Sequence, residues 1–371
     1  MLITVKLFFL FRILFIINTM GQANSIESSA ILEALSTPFK PLTNKYEAKT
    51  YIQAIELLEK YGICYIPDVL TDIERINMID GTWSFFEHIT KNDITPISRY
   101  DKNTWSSFES LRPALGMMYH HWHVGHSQHL WDLRQNEKII EINARMLECN
   151  EKDLLVSFDG MSFLVPPEET DEHWFTRSQV QLHIDQKLSI SYKDSLQSFV
   201  TANDIEEGDA TIHFLEGSNR MMGEFIKEFG EFTDKEYVVF NQDHLDFFRE
   251  KCKDKFMTCP AKSLVLWDPR LVHCGSNPKR GRKNPNTRCI AYLSYYPKQL
   301  STQTDIEMKK LALGAMYTSN HYAHRSSYFP TYPSDVNKDN CPINKIPEPQ
   351  LKKIGYSLAG YSDDEIEEIF S

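Results

Sequence analysis

The sequence predicts a mainly β fold with flanking helices, an α+β chain whose β-barrel or jelly roll carries helices on its outside. Three observations carry this. Short apolar runs, some alternating with period two, recur between Leu154 and Tyr296. Capped helical stripes precede them. The 371 residues, 42% apolar and 25% charged, suit one large single-core domain or two ordinary ones and exclude a disordered, collagen-like or polytopic membrane chain.

Each element has its own signal. Tyr51 to Tyr61 is apolar at 51, 52, 55 and 58, a helical stripe closed by Gly62. Ile63 to Ile66 is a strand stopped by Pro67. Thr71-Asp72-Ile73-Glu74 is a capping box, and the helix it opens has Ile73, Ile76, Ile79, Trp83 and Phe86 on its apolar side. Leu130 to Leu147 reads as another helix. Leu154 to Val165 reads as a strand ending at Pro166-Pro167. From Gln179 to Asp185, Val180, Leu182 and Ile184 share one face, and Gln181, His183 and Asp185 the other. Strands follow at Ser198–Ala202, Ala210–Leu215, Ser263–Trp267, Leu271–Cys274 and Cys289–Tyr296. The charged, Phe-rich stretch 221–255 reads as a helical insertion between strands. After Pro297 the chain is polar and Tyr/Pro-rich, with a capping box at Ser362 to Glu365.

The organisation expected is a core domain over 51–300 and a C-terminal extension over 301–371, packed on the core or trailing it. Residues 24–50 read as a linker, and 1–23 as a signal, an anchor or an unstructured extension. Leu7 to Ile17 is apolar apart from Arg12, too short to span a bilayer, which takes about 20 residues. A start at Met20 would instead expose Met-Gly-Gln-Ala-Asn-Ser, a myristoylation pattern. Membrane contact is expected only through this segment.

The net charge of −11 argues against nucleic acid as a partner, because phosphate contacts need a positive surface. The run Lys279 to Arg288, five basic residues in ten, reads as a solvated loop. Seven cysteines without a C-x-x-C read as free thiols of a reducing compartment, so the expected location is cytoplasmic. Oligomeric state is not legible.

Chemistry concentrates at Gln181-Leu-His183-Ile-Asp185-Gln186. Strand residues i and i+2 point to one face, so His183 and Asp185 can bind one metal together. By itself the pair is a weak signal and fits a strand histidine satisfied by its neighbour. His273, ending Leu264-Val-Leu-Trp-Asp-Pro-Arg-Leu-Val-His273, offers a third ligand. Two histidines and one carboxylate leave positions open, which suits non-haem Fe(II) that must take a cosubstrate and O2. Arg288, 15 residues later, can hold a carboxylate bidentately inside a barrel, or serve as an ordinary barrel-end salt bridge.

At these residues the chain resembles the phytanoyl-CoA dioxygenase family of Fe(II)/2-oxoglutarate oxygenases, over about Tyr51 to Pro297. The stretch from Leu58 to Pro67 is similar to the family's opening helix and strand. Gly208-Asp-Ala-Thr-Ile-His-Phe-Leu-Glu-Gly217-Ser-Asn-Arg is similar to its hairpin, and Ser263 to His273 to its third-ligand strand pair. The resemblance implies a double-stranded β-helix (jelly roll, cupin-like) core. It implies iron on His183, Asp185 and His273, and the distal carboxylate of 2-oxoglutarate on Arg288. The implied reaction is hydroxylation of a small organic molecule with release of succinate and CO2. Halogenating relatives lack the Asp185 carboxylate, so its presence favours a hydroxyl over a halogen.

The pattern departs from the family at Val165, where a second cosubstrate contact, Lys, often stands. Part of the carboxylate clamp is missing or comes from elsewhere, with Gln181 and Ser276 the candidates. A jelly roll that binds metal or ligand without turnover is the alternative reading. His120, His121, His123, His126 and His129 form a second cluster, read as packing, as a wall of the substrate entrance or as a metal site. His213 reads as an ordinary strand residue. Asp268 and Arg270 read as a pair that orients His273, or as a structural salt bridge. The insertion and the N-terminal region are expected to line the cavity mouth.

Overall fold

A computed structural model describes residues 44–170, 181–193, 195–325, 327–336 and 344–371. The apolar run 7–17, most of the 24–50 segment, Gln179, Val180 and Cys341 lie outside the described residues. Helix α1 (Tyr51–Tyr61) starts at Thr50, whose hydroxyl accepts from the Gln53 amide, and stops at Gly62, whose φ is 80°. A Cβ on Gly62 would lie 2.6 Å from Leu271 Cδ1, so glycine is required for the turn and for close packing. Strand β1 (Ile63–Ile66) follows, and α2 (Asp72–Thr90) opens on the Thr71–Glu74 capping box.

The buried face of α2 differs from the expected one. Ile73 is exposed, and the buried stripe is Met78, Thr82, Trp83, Phe85, Phe86 and Ile89. The burial begins only at Met78, so the first turn adds no apolar residue to the core. After β2 (Met118–Tyr119), the helix expected over 130–147 is two, α3 (Gln128–Arg134) and α4 (Glu137–Met146). The Asn136 side chain accepts from the Ile139 amide and starts the second helix afresh. The run from Leu154 likewise splits into β3 (Leu154–Val156) and β4 (Met161–Leu164).

Strands β5 (His183–Ile184), β6 (Gln197–Thr201) and β7 (Thr211–Leu215) come next. The 221–255 stretch is not purely helical. It holds α5 (Met222–Phe229), β8 (Val238–Val239), α6 (Gln242–Arg249) and β9 (Asp254–Phe256). β8 pairs with β5 and β9 with β7, so the insertion supplies both edges of a sheet. Then come β10 (Leu264–Trp267), β11 (His273–Ser276), β12 (Arg288–Tyr292) and β13 (Tyr295–Pro297). Helices α7 (Gln303–Ala315), α8 (Lys353–Leu358) and α9 (Asp363–Phe370) complete the chain.

The strands form antiparallel sheets. One runs β1-β10-β6-β12-β4-β2, a second β8-β5-β11-β7-β9, and β13 pairs with β3. Period-two alternation explains why nearly every position of the larger sheet is buried. Ile63, Tyr65, Phe199, Val265, Trp267 and Ile290 share a cluster with Ile212 and Phe214 of the second sheet. Their neighbours Cys64, Val200, Leu264, Leu266 and Ala291 join the cluster that contains α2, α3 and α4. The outer face of the second sheet packs Ile184, Leu215 and Cys274 against Phe225, Phe240 and Phe248. Burying each such phenylalanine contributes roughly 1.5–3 kcal/mol.

Residues 42–371 form one unit. Ala312, Met316, Ile346 and Leu358 of the tail belong to the same cluster as α2, and Lys310 on α7 pairs with Glu365 on α9 at 2.8 Å. The Lys279–Arg288 run is not simply solvated: the Arg282 side chain is 3% exposed and bridges Glu168 and Asp209. Six described cysteines are free, and all but Cys149 are buried. Among the described residues no helix is long and apolar enough to cross a membrane.

Candidate active site

His183 on β5 and His273 on β11 are direct cross-strand partners. Both face inward, because Ile184 and Cys274 take the outward positions of the same strands. Asp185 follows two residues after His183 and is held from behind. Its amide donates to the Pro269 carbonyl at 2.9 Å, and the Tyr322 hydroxyl donates to its carbonyl at 2.9 Å. His183, Asp185 and His273 each offer a ligand atom, and these atoms lie within 4.8 Å of one another.

Hydrogen bonding settles which ring nitrogens face the centre. Nδ1 of His183 lies 2.8 Å from the Gln181 carbonyl, and Nδ1 of His273 lies 2.8 Å from the Leu271 carbonyl. A nitrogen facing a carbonyl must carry the proton, so in each neutral ring the lone pair sits on Nε2. The two Nε2 atoms approach Asp185 Oδ1 at 3.7 Å and Oδ2 at 3.4 Å. Burial lowers the His183 pKa to about 4, so this imidazole is neutral near pH 7. Burial alone would raise the Asp185 carboxyl, but His321, His183 and His273 together hold it below the usual carboxylate range. The Gln197 amide also donates to Oδ2, at 3.0 Å. The Nε2 atoms of two rings and a carboxylate thus converge on one point, and the donor set fits a divalent metal with nitrogen and oxygen preference.

The three residues line a cavity of about 440 Å³ between the sheets. Arg288 lines it too, from β12 of the larger sheet, whereas His273 belongs to the second sheet. Arg288 is 7% exposed. Its Nε donates to Ser162 Oγ and its Nη1 to the Ala210 carbonyl, both at 2.7 Å.

Other expected residues stand elsewhere. Gln181 is exposed outside the cavity lining, and its carbonyl, not its amide group, serves His183. Ser276 also lies outside the lining and donates to the Thr211 carbonyl at 3.3 Å. Ser276 stands three residues past the inward His273, where strand parity turns it away, and Gln181, though it shares the parity of His183, sits before the start of β5. Ser162, on the strand beside Arg288, is the hydroxyl that meets the guanidinium. Asp268 and Arg270 do form a bidentate pair, at 3.0 and 2.7 Å, but it braces the turn after β10 and reaches the Ser191 carbonyl rather than His273.

The histidine cluster divides. His126 and His129 are buried in the helical layer, His121 and His123 bind main-chain carbonyls, and His120 alone faces the cavity. His213 lies outside it, paired with Asp254 at 2.8 Å. The cavity is also walled by Glu236 and Tyr237 of the insertion and by His321, Tyr322 and Phe329 of the C-terminal tail. No signal in the sequence announced the tail residues, or Gln197, as neighbours of Asp185.

No family model and no curated protein matches the chain. Solved structures do. An oxidoreductase, so assigned only provisionally, from Salmonella typhimurium LT2 is 11% identical with a TM-score of 0.52, over 91% of this chain and 89% of that one. The non-heme alpha-ketoglutarate-dependent carbocyclase SnoK of nogalamycin biosynthesis is 14% identical, with a TM-score of 0.40, over 70% of this chain and 87% of its own. The epimerase SnoN from the same biosynthesis is 10% identical, with a TM-score of 0.39, over 66% and 82%. At the level of fold, the chain is similar to the Salmonella protein.

Proposed function

We propose that this protein is an Fe(II)- and 2-oxoglutarate-dependent oxygenase that hydroxylates a small organic molecule and releases succinate and CO2. The observation that carries the reading is the convergence of ligand atoms from His183, Asp185 and His273 within 4.8 Å of one another on the wall of one cavity. In this reading His183, Asp185 and His273 hold Fe(II), which supplies O2 activation when bound. Arg288 faces the same cavity from the other sheet and pairs with the distal carboxylate of 2-oxoglutarate. Ser162 aims the guanidinium, taking the part expected of Gln181 or Ser276. Two inward-facing antiparallel sheets and the motifs from Leu58 to Arg288 support a double-stranded β-helix of the phytanoyl-CoA dioxygenase type.

This chain's residues prepare the centre before any ligand arrives. The carbonyls of Gln181 and Leu271 lock both imidazole tautomers, and Gln197 and the Asp185 backbone contacts aim the carboxylate. Asp185 would hold the place on the metal that a halide would otherwise take. The product therefore carries a hydroxyl or an unsaturation, not a halogen.

Succinate release with Fe(II), 2-oxoglutarate and O2 against a metabolite panel tests the reading. The expected result is a succinate signal that at least one compound raises and that Asp185→Ala abolishes. Tight binding of Fe(II) and 2-oxoglutarate with no succinate under any condition would instead establish a binding protein without turnover.

A further inference from the structure

The cavity holds a second acidic centre that the proposed chemistry leaves unused. Asp159 sits in the break between β3 and β4, 6% exposed, and lines the same cavity as His183 and Arg288. One carboxylate oxygen accepts from the Gly160 amide at 2.7 Å, and His120 Nε2 stands 3.7 Å from that oxygen. Among the described residues no lysine or arginine lies within ion-pair distance of it. Arg134, whose charge reaches the carboxylate, donates to the main-chain carbonyls of Gly125 and Asp159 rather than to the carboxylate itself. The position is rigid: a Cβ on Gly160 would lie 1.9 Å from the Tyr119 carbonyl oxygen, and His120 is stacked on Phe329 at 4.3 Å.

A buried carboxylate with no cation bonded to it is costly, and a ligand ammonium bonded there removes that cost. The charges around the cavity say which ligand. Its lining contains the carboxylates of Asp159, Asp185 and Glu236 against one guanidinium, Arg288. Glu236 is matched by Arg325. If iron and 2-oxoglutarate are bound as proposed above, their charges cancel, and Arg288 cancels Asp185. Asp159 is left over on the cavity side, since Arg134, whose charge reaches it, stands outside the lining. The cavity walls, with Phe199, Ile212, Trp267, Tyr237 and Phe329, are apolar and aromatic, which suits a hydrocarbon or ring body beside an ammonium.

We infer that Asp159, with His120 beside it, is the recognition point for a protonated amine on an otherwise apolar substrate of about one or two rings. The assignment of that amine as substrate rests on the oxygenase reading, while the amine site itself does not. Burial raises the Asp159 pKa to about 7, so the group is largely charged above neutrality, where alkyl amines are still protonated. His120 is held neutral by its own burial, with a pKa of about 4, and does not compete for the carboxylate.

The test uses the full chain, metal-free, at about pH 8. Phenethylamine and 2-phenylethanol, matched in shape and differing in charge, are titrated by calorimetry into the wild type and Asp159→Asn. The wild type should bind the amine at least about tenfold more tightly than the alcohol, as a charged hydrogen bond allows. Asp159→Asn should remove that preference while leaving alcohol affinity within about twofold. Equal affinities in the wild type, no amine binding, or a preference that survives Asp159→Asn would each overturn the inference; the last would place the ammonium on Asp185. A separate anaerobic titration follows the visible absorption of an Fe(II)–2-oxoglutarate chelate without the amine. Its absence beside an intact preference would defeat the oxygenase reading alone. Its presence without a preference would defeat only this inference.

Discussion

Arg288→Lys separates a cosubstrate anchor from a structural salt bridge. The guanidinium spends Nε on Ser162 and Nη1 on the Ala210 carbonyl, each at 2.7 Å, and these bonds fix its plane against the cavity. Lysine keeps the charge but has one nitrogen on a flexible stem, so it cannot satisfy both partners and still present a planar edge. A hydrogen bond to a charged group is worth about 1.5–3 kcal/mol, so 2-oxoglutarate affinity should fall roughly ten- to 150-fold. Fe(II) affinity should change less than about twofold, because Arg288 is bonded to neither His183, Asp185 nor His273. One abandoned acceptor should also cost about 1–3 kcal/mol of stability, so binding is measured well below the melting transition. Anaerobic calorimetry with 2-oxoglutarate on Mn(II)-loaded protein, beside a metal titration alone, gives both constants. Equal loss of both would make Arg288 structural, and an unchanged 2-oxoglutarate constant would put the cosubstrate elsewhere.

Three more outcomes follow from the same structure. Gln197→Ala releases Asp185 Oδ2 and should weaken Fe(II) binding about 10- to 100-fold at an unchanged metal stoichiometry; full affinity in a metal titration would deny Gln197 its positioning role. His120, His126 and His129 have pKa values lowered by burial to about 4, 3 and 3, against 6.5 in the unfolded chain. Below 6.5 the unfolded chain takes up protons that the folded chain refuses, so stability should fall as pH drops toward 4. The slope is at most about 4 kcal/mol per pH unit for three such groups, and His129→Asn should reduce it by about a third in urea titrations at several pH values. A pH-independent midpoint would show that these rings are already accessible to water. Gly160→Ala forces a Cβ to within 1.9 Å of the Tyr119 carbonyl oxygen and should cost about 3 kcal/mol or more in a denaturant titration; a neutral result would mean that the break holding Asp159 is loose.

The sequence by itself determined whatever depends on neighbours along the chain. Both capping boxes, at Thr71 and Ser362, and the Gly62 stop were legible because caps act over three or four residues. The common face of His183 and Asp185 was legible for the same reason, since strand parity is local. Their partner His273 came from a family motif, not from any local rule. Sheet pairing alone decided that His273 stands opposite His183, and that Arg288 faces both from the other sheet. Local patterns also misled where burial was the issue. Ile73 fits an apolar stripe yet is exposed, and Arg282 reads as a loop cation yet is buried between two carboxylates. Gln197, Ser162, Asp159 and the tail residues His321 and Tyr322 carry no spacing signal. Tyr322 reaches Asp185 across 137 positions of sequence. Contacts of that span form only once loops have closed and sheets have registered, so the site's supporting shell is a property of the folded core rather than of any segment in it.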